Sequence, residues 1–240
     1  MQPGYFSNEN IVKAMPHDHL FIWMEMVSAI KQDLKAGCKV ADFGCSSGEL
    51  LRVLCAGVPN LIDPIKPAIA VGLELETMRD VLIKAASKMP SGLPIVLSSA
   101  PLHAFASQFD VILSHEVLYL VEDLADTFAA AFAALKAGGV LCAATAGYIE
   151  NEYYQRWQSK FKKRGITVFN HSKDEYAALL KLAGFDQVQV IPILLTKQVY
   201  HRWRSERAFD DWEWFESQHD EERYFTKVGK LAFIARRTIG

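Results

Sequence analysis

Two textures of apolar residues alternate along this chain. Short runs that are apolar at nearly every position occupy residues 40–43, 68–73, 93–97 and 111–113 and recur from residue 140. Between them lie stretches in which apolar residues return every three or four positions. A continuously apolar run suits a strand covered on both faces, as in a parallel sheet. The wider spacing suits a helix that buries one face. Their alternation over residues 40–146 predicts a parallel α/β sheet.

The same pattern predicts the flanking elements. Within residues 5–36, Leu20, Trp23, Met24, Val27 and Ile30 recur at helical spacing, and the pattern stops at Gly37. Helices are predicted at 49–56, at 77–89 with Met78, Val81, Leu82 and Ala85 inward, and in the Ala-rich span 126–135. Further helices are predicted at 151–163 and 176–182. The second is announced by Ser172-Lys173-Asp174-Glu175, whose Ser-to-Glu spacing suits a capping box. Strands at 185–191 and 230–236 close the chain.

Composition narrows the field. With 240 residues, half of them apolar, the chain can bury the core of one domain. The expected division is an N-terminal helical cap over 1–36, a core over 37–192, and an aromatic-rich insertion with the final strand over 193–240. A formal charge of −2 and a pI near 6.4 give no chain-wide attraction for nucleic acid or an anionic membrane. There is no apolar run of about 18 residues, the length a membrane span requires, and the first residues lack the basic start and apolar core of a signal peptide. A cytoplasmic protein is expected. Cys38, Cys45, Cys55 and Cys142 show no metal-ligand spacing, so reduced thiols and no metal site are expected.

Candidate chemistry centres on residues 40–51, where an apolar run breaks into Asp42-Phe43-Gly44-Cys45-Ser46-Ser47-Gly48 and resumes as a helix. Glycines in such a strand-to-helix turn allow sharp bending and close approach of a ligand, and the helix start offers unpaired N–H groups. A dinucleotide fingerprint would require glycine where Ser46 stands; here an acid, Asp42, precedes the first glycine instead. Thirty residues after Gly44, at the end of the second strand, Glu74 offers two carboxylate oxygens suited to a ribose diol. Glu76 is the weaker candidate.

These residues resemble the first motif of the class I S-adenosylmethionine (SAM) dependent methyltransferases, with Ser46 in place of its middle glycine. Residues 109–123, beginning Phe109-Asp110-Val111-Ile112-Leu113-Ser114-His115-Glu116-Val117-Leu118-Tyr119, resemble the family's fourth strand and following loop, and Lys136-Ala137-Gly138-Gly139 resembles its later glycine turn. The resemblance implies a Rossmann-like, seven-stranded, mostly parallel sheet with helices on both faces and an antiparallel C-terminal strand. It implies SAM as cofactor, held at Asp42, Gly44, Cys45, Ser46 and Gly48, with ribose on Glu74, adenine between Leu75 and the Ser99–Ala100 turn, and Ser114 nearby. Ser99 stands where the family usually carries an acid.

A small-molecule acceptor is expected, lined by Glu116, Tyr119 and Tyr148, with His115 as candidate base because imidazole titrates near neutrality. His103 is a lesser candidate. The Asn/Asp-Pro-Pro-Tyr/Phe motif of amino-methylating nucleic-acid enzymes does not follow strand four, and no cysteine lies there to attack a pyrimidine. The alternatives are a SAM-binding protein of the same fold that does not methylate and, less well supported, a nicotinamide dehydrogenase. The aromatic segment 200–215 is expected to cover a small packed satellite, with a substrate wall or a subunit contact as the other readings.

Overall fold

The computed structural model describes residues 17–58, 62–205 and 214–238. Seven strands form one sheet in the order β3-β2-β1-β4-β5-β7-β6. In it β1 (Lys39–Phe43), β2 (Ile69–Leu73), β3 (Ile95–Ser98), β4 (Phe109–His115) and β5 (Leu135–Thr145) run parallel. β7 (Lys230–Arg236) inserts antiparallel between β5 and β6 (Gln187–Ile193). This is the expected mixed sheet with its antiparallel C-terminal strand. Strand order reverses between β1 and β4, and in open α/β sheets the crevice at such a switch point, outside the carboxyl ends of the strands, takes the ligand.

Helices cover both faces because the strands are apolar on both. α1 (His17–Ala29) and α2 (Glu49–Ala56) pack on one face, where Ile22, Met26, Leu50 and Leu54 meet Val40, Val111 and Leu113. After α3 (Arg79–Ala86), α4 (Leu124–Ala134) covers the other face together with α6 (Lys173–Leu182), through Phe128, Ala131, Tyr176 and Leu180 against Ile112, Leu141 and Phe233. Alternation along β4 sends Val111 and Leu113 one way and Ile112 the other.

Packing shifts several expected boundaries. The buried face of α1 is Ile22, Trp23 and Met26, continued by Ile30 just past its end, whereas Leu20, Met24 and Val27 are only partly covered. Too many apolar residues crowd this helix for spacing alone to choose a face. The third helix is shorter than expected: a 3-10 turn over Glu76–Met78 precedes α3, which buries Leu82 and Ala85 and leaves Val81 exposed. The Lys136–Gly139 stretch is a bulge within β5. Leu135 pairs with Phe109 and Val140 with Val111, and the looped-out residues are clamped by Lys136 Nζ on Asp110 (2.7 Å) and by Gly138 N–H on the Arg237 carbonyl (2.7 Å). β6 begins two residues later than expected, at Gln187.

A satellite cluster joins α5 (Glu152–Lys163), α7 (Lys197–Ser205), α8 (Gln218–Arg223) and the π-turn Tyr224–Val228. Tyr153, Trp157, Tyr200, Tyr224 and Phe225 form it, with Trp214 and Phe215 packed against them. The described members of the 200–215 segment thus cover a packed satellite. Residues 206–213 lie outside the described residues. The four cysteines are free and buried, and among the described residues no helix is long and apolar enough to cross a membrane. His/Cys/Asp/Glu groups able to hold a metal ion are likewise absent among the described residues.

The Ser172 capping box is present: its Oγ accepts Glu175 N–H at 3.0 Å, and Glu175 Oε2 accepts Ser172 N–H at 2.5 Å. Ser172→Ala should therefore destabilise the protein by about 1 kcal/mol in urea unfolding, with an unchanged m-value.

Candidate active site

At the end of β1 the chain turns through Gly44 (φ 76°), Ser46 (φ 48°) and Gly48 (φ 74°) before entering α2. Gly44 is required twice over, by its left-handed backbone and by Val117: a Cβ at position 44 would stand 2.2 Å from a Val117 methyl. Gly48 lies under Leu97, with only 2.9 Å left for a Cβ. Gly72 on β2 makes room for the Cys45 thiol, which would lie 2.7 Å from a Cβ there. Burial, with Asp42 and Glu74 nearby, pushes that thiol's pKa up, so Cys45 is a neutral packing group.

Glu74 ties the turn to the end of β2. Its Oε2 accepts Ser46 N–H and its Oε1 accepts Leu75 N–H, both at 2.9 Å. Each carboxylate oxygen retains acceptor capacity beyond these bonds. The backbone of Glu74 donates to the Ser98 carbonyl (3.1 Å), bringing the Ser98–Ala100 turn alongside. There Ala100 N–H donates to Ser98 Oγ at 3.1 Å, while the Ser99 hydroxyl donates to Glu76, whose carboxyl it holds, with Arg79, below its usual range. Leu75 is 67% exposed at this edge. Asp42, Gly44, Cys45, Ser46, Gly48, Glu74, Leu75, Ser99 and Ala100 therefore line one continuous edge.

Asp42 is the unusual member. It is 3% exposed and has no hydrogen-bond partner among the described residues. Burial and then the neighbouring Glu74 charge push its carboxyl up to about 7. Two acids facing one loop, one of them unpaired, make a site that a cationic ligand with hydroxyl donors would complete.

Ser114 is a bolt. Buried at the end of β4, its hydroxyl donates to the Phe43 carbonyl at 3.0 Å, tying β4 to β1. His115 follows and meets α1, its ring 4.7 Å from His19 and 6.0 Å from Trp23 between centroids. Its Nε2 is buried with no hydrogen-bond partner among the described residues. Burial, then Lys230, then His19 hold its pKa well below the usual imidazole value, so the ring is neutral at neutral pH.

Glu116 adopts φ 58°, and its Oε1 accepts Ala146 N–H at 2.6 Å with Lys230 Nζ at 3.5 Å. The Tyr119 hydroxyl also donates to this carboxylate. Tyr119 is buried against Gly147 and lies 5.6 Å from the Tyr154 ring. Tyr148 belongs to the core cluster beneath α4 and α6, and burial raises its phenol to about 12. The edge therefore has two sides: His115 faces α1, whereas Glu116, Tyr119 and Tyr148 interlock toward α5 and α6. Sequence reasoning missed Val117, Leu97 and Lys230, because only strand register brings them to the site.

A family profile described as a methyltransferase domain matches residues 19–190. The chain belongs to this methyltransferase family. Its fold is shared with a chain of the complex between the Haloferax volcanii Trm112 methyltransferase activator and a methyltransferase (20% identity, TM-score 0.67, 92% of this chain and 99% of that one). It is shared also with a SAM-dependent methyltransferase from Mesorhizobium loti (20% identity, TM-score 0.65, 92% and 100%). A third likeness is to geranyl diphosphate C-methyltransferase from Streptomyces coelicolor, solved with Mg2+, geranyl diphosphate and S-adenosylhomocysteine (15% identity, TM-score 0.60, 89% and 77%). No curated protein sequence matches. The protein is a SAM-dependent methyltransferase, and the unpaired Asp42 beside Glu74 suits a ligand that carries positive charge and a ribose.

Gly44→Ala in this methyltransferase should cost about 2–4 kcal/mol of stability in urea unfolding, from left-handed strain plus displacement of Val117. Asp42 gives a pH signature in the ligand-free protein. Because its folded pKa lies near 7, above the ordinary 3.8, its contribution is fully present below about pH 3.8 and lost as pH rises to about 7. Asp42→Asn should thus gain stability over the native protein progressively across that window, on the order of a few kcal/mol at its top, read as thermal midpoints against pH.

Proposed function

We propose that this methyltransferase methylates a small-molecule acceptor at the carboxyl edge between the Gly44 loop and the segment His115–Tyr119. The observation that carries the reading is the direct contact of these two segments through Gly44 and Val117, with the unpaired Asp42 carboxylate on one side and the unpaired His115 Nε2 on the other. α1 lays His19 and Trp23 against His115, so the edge is walled on this side, as suits a small acceptor.

Bound SAM supplies a sulfonium-activated methyl group for in-line displacement. The chain's own part begins with holding: the backbone of Gly44, Cys45, Ser46 and Gly48 lies close to the ligand's amino-acid end, Asp42 balances its positive charge, and Glu74 accepts from the ribose hydroxyls. Leu75, Ser99 and Ala100 flank the base, and Ser114 keeps the ends of β1 and β4 in register. Alignment of this kind can contribute about 7–11 kcal/mol in favourable systems. Where the acceptor carries a proton, His115 takes it: with its ring proton on Nδ1, the neutral imidazole presents the Nε2 lone pair. Tyr119 and Tyr148 line the acceptor side, and Glu116 holds that side in place.

Calorimetric titration should give binding of SAM and S-adenosylhomocysteine and none of NAD(H); the converse would overturn the reading. Glu74→Ala should weaken S-adenosylhomocysteine binding by about tenfold or more, the loss of one or two charge-assisted hydrogen bonds. In an assay of S-adenosylhomocysteine release over an acceptor library, His115→Ala should lower turnover about 10²–10⁴-fold at unchanged cofactor affinity. Methylation of RNA or protein with none of any small molecule would remove the proposed acceptor class.

A further inference from the structure

Lys230, the first residue of β7, is 5% exposed, an expensive place for an ammonium group unless its charge is used or compensated. Strand register explains why it matters here. His115 on β4 aligns with Ala144 on β5, and Ala144 aligns with Ala232 on β7. Lys230 lies two residues before Ala232, hence on the same face of the sheet and nearer the carboxyl edge of β5. Ala144 and Ala232, which stand between their strands' positions in register, both end at Cβ.

Glu116 completes the arrangement. It follows His115 directly, and its left-handed backbone (φ 58°) is strained for a non-glycine residue. Its carboxylate compensates by gripping Ala146 N–H at 2.6 Å and facing Lys230 Nζ at 3.5 Å. The described titratable or charged groups that act on His115 are Lys230 from β7 and His19 from α1, with the Trp23 ring packed alongside, while Glu116, next in the chain, faces Lys230.

We propose that Lys230 and Glu116 are a positioning pair for methyl transfer: Lys230 keeps the His115 imidazole in its neutral, proton-accepting form, and Glu116 sets the strength of that influence while pinning the segment after β4. The depression of the His115 pKa, caused first by burial and then by Lys230 ahead of His19, agrees with this geometry. The catalytic use of the pair rests on the reading of His115 as base; the electrostatic coupling does not.

The test therefore has an arm without substrate. Imidazole NMR titration of the full ligand-free chain, with His115 assigned by comparison with His115→Gln, should show the His115 pKa rising by about one pH unit or more in Lys230→Met, the size expected when a nearby like charge is removed. Lys230→Arg should keep the native titration, and Glu116→Gln should move it further down. The acid limb of the pH–rate profile for S-adenosylhomocysteine release should move in the same directions, upward in Lys230→Met and downward in Glu116→Gln. An unmoved His115 titration in Lys230→Met protein that retains its thermal midpoint and S-adenosylhomocysteine affinity overturns the proposal. If Lys230→Met does not fold, an upward or unchanged shift in Glu116→Gln overturns it instead. Undiminished turnover in His115→Ala would sink the base reading, and the pair's catalytic use with it, whatever the titration shows.

Discussion

The site depends on one close approach, that of the Gly44 backbone to the Val117 side chain. The Gly44 loop must leave β1, and the His115 segment must leave β4, within van der Waals reach of each other, because the two strands are neighbours where the strand order reverses. Only a residue without Cβ occupies position 44 without displacing Val117, and the Ser114 hydroxyl on the Phe43 carbonyl keeps the strand ends from separating. The Gly44 loop and the His115 segment are thereby one mechanical unit. The alanines and valines of the strand interiors serve this unit by letting helices press on both faces.

Charge is sorted across this junction. Asp42 and Glu74 face the loop, and among the described residues Asp42 has no cationic partner, while Lys230 stands on the far side near the neutral His115 imidazole. Such an arrangement is costly in the ligand-free state: a buried carboxylate without partners lifts its own pKa, and a buried lysine lowers that of nearby histidine. Both strains point the same way. On the proposed function, positive charge completes the loop side and the neutral His115 stays able to receive a proton.

The aromatic satellite plays a supporting part. Tyr224 meets Tyr153 and Trp157 edge-to-face, Tyr153 and Trp157 pack tilted, and the Trp157 indole N–H donates to the Trp214 carbonyl at 2.9 Å. Bidentate Arg156–Asp220 contacts close its rim. The satellite backs Tyr119 through Tyr154 and Phe161, so the segment after β4 rests on a packed aromatic wall.

What the sequence determined by itself is what local chemistry dictates. The parallel α/β class followed from apolar runs alternating with helical periodicity, α2 and β7 were legible to the residue, and Ser172 with Glu175 announced its cap. The adjacency of the candidate residues was legible as well: Asp42 to Gly48, Glu74, and the Ser99–Ala100 turn carry their geometry in turn residues and strand ends, and they come together at one sheet edge. Tertiary structure decided whatever depends on residues distant in the chain. Trp23 and Met26 rather than Met24 and Val27 face inward on α1 because the sheet chooses among many apolar positions. Lys136 to Gly139 bulge because Asp110 and Arg237 clamp them from either side. Ser114 becomes a bolt once β4 lies beside β1, Glu116 a grip once β5 lies beside β4, and Lys230 a neighbour of Glu116 and His115 once β7 slips antiparallel beside β5, placements set by register and invisible to any local pattern.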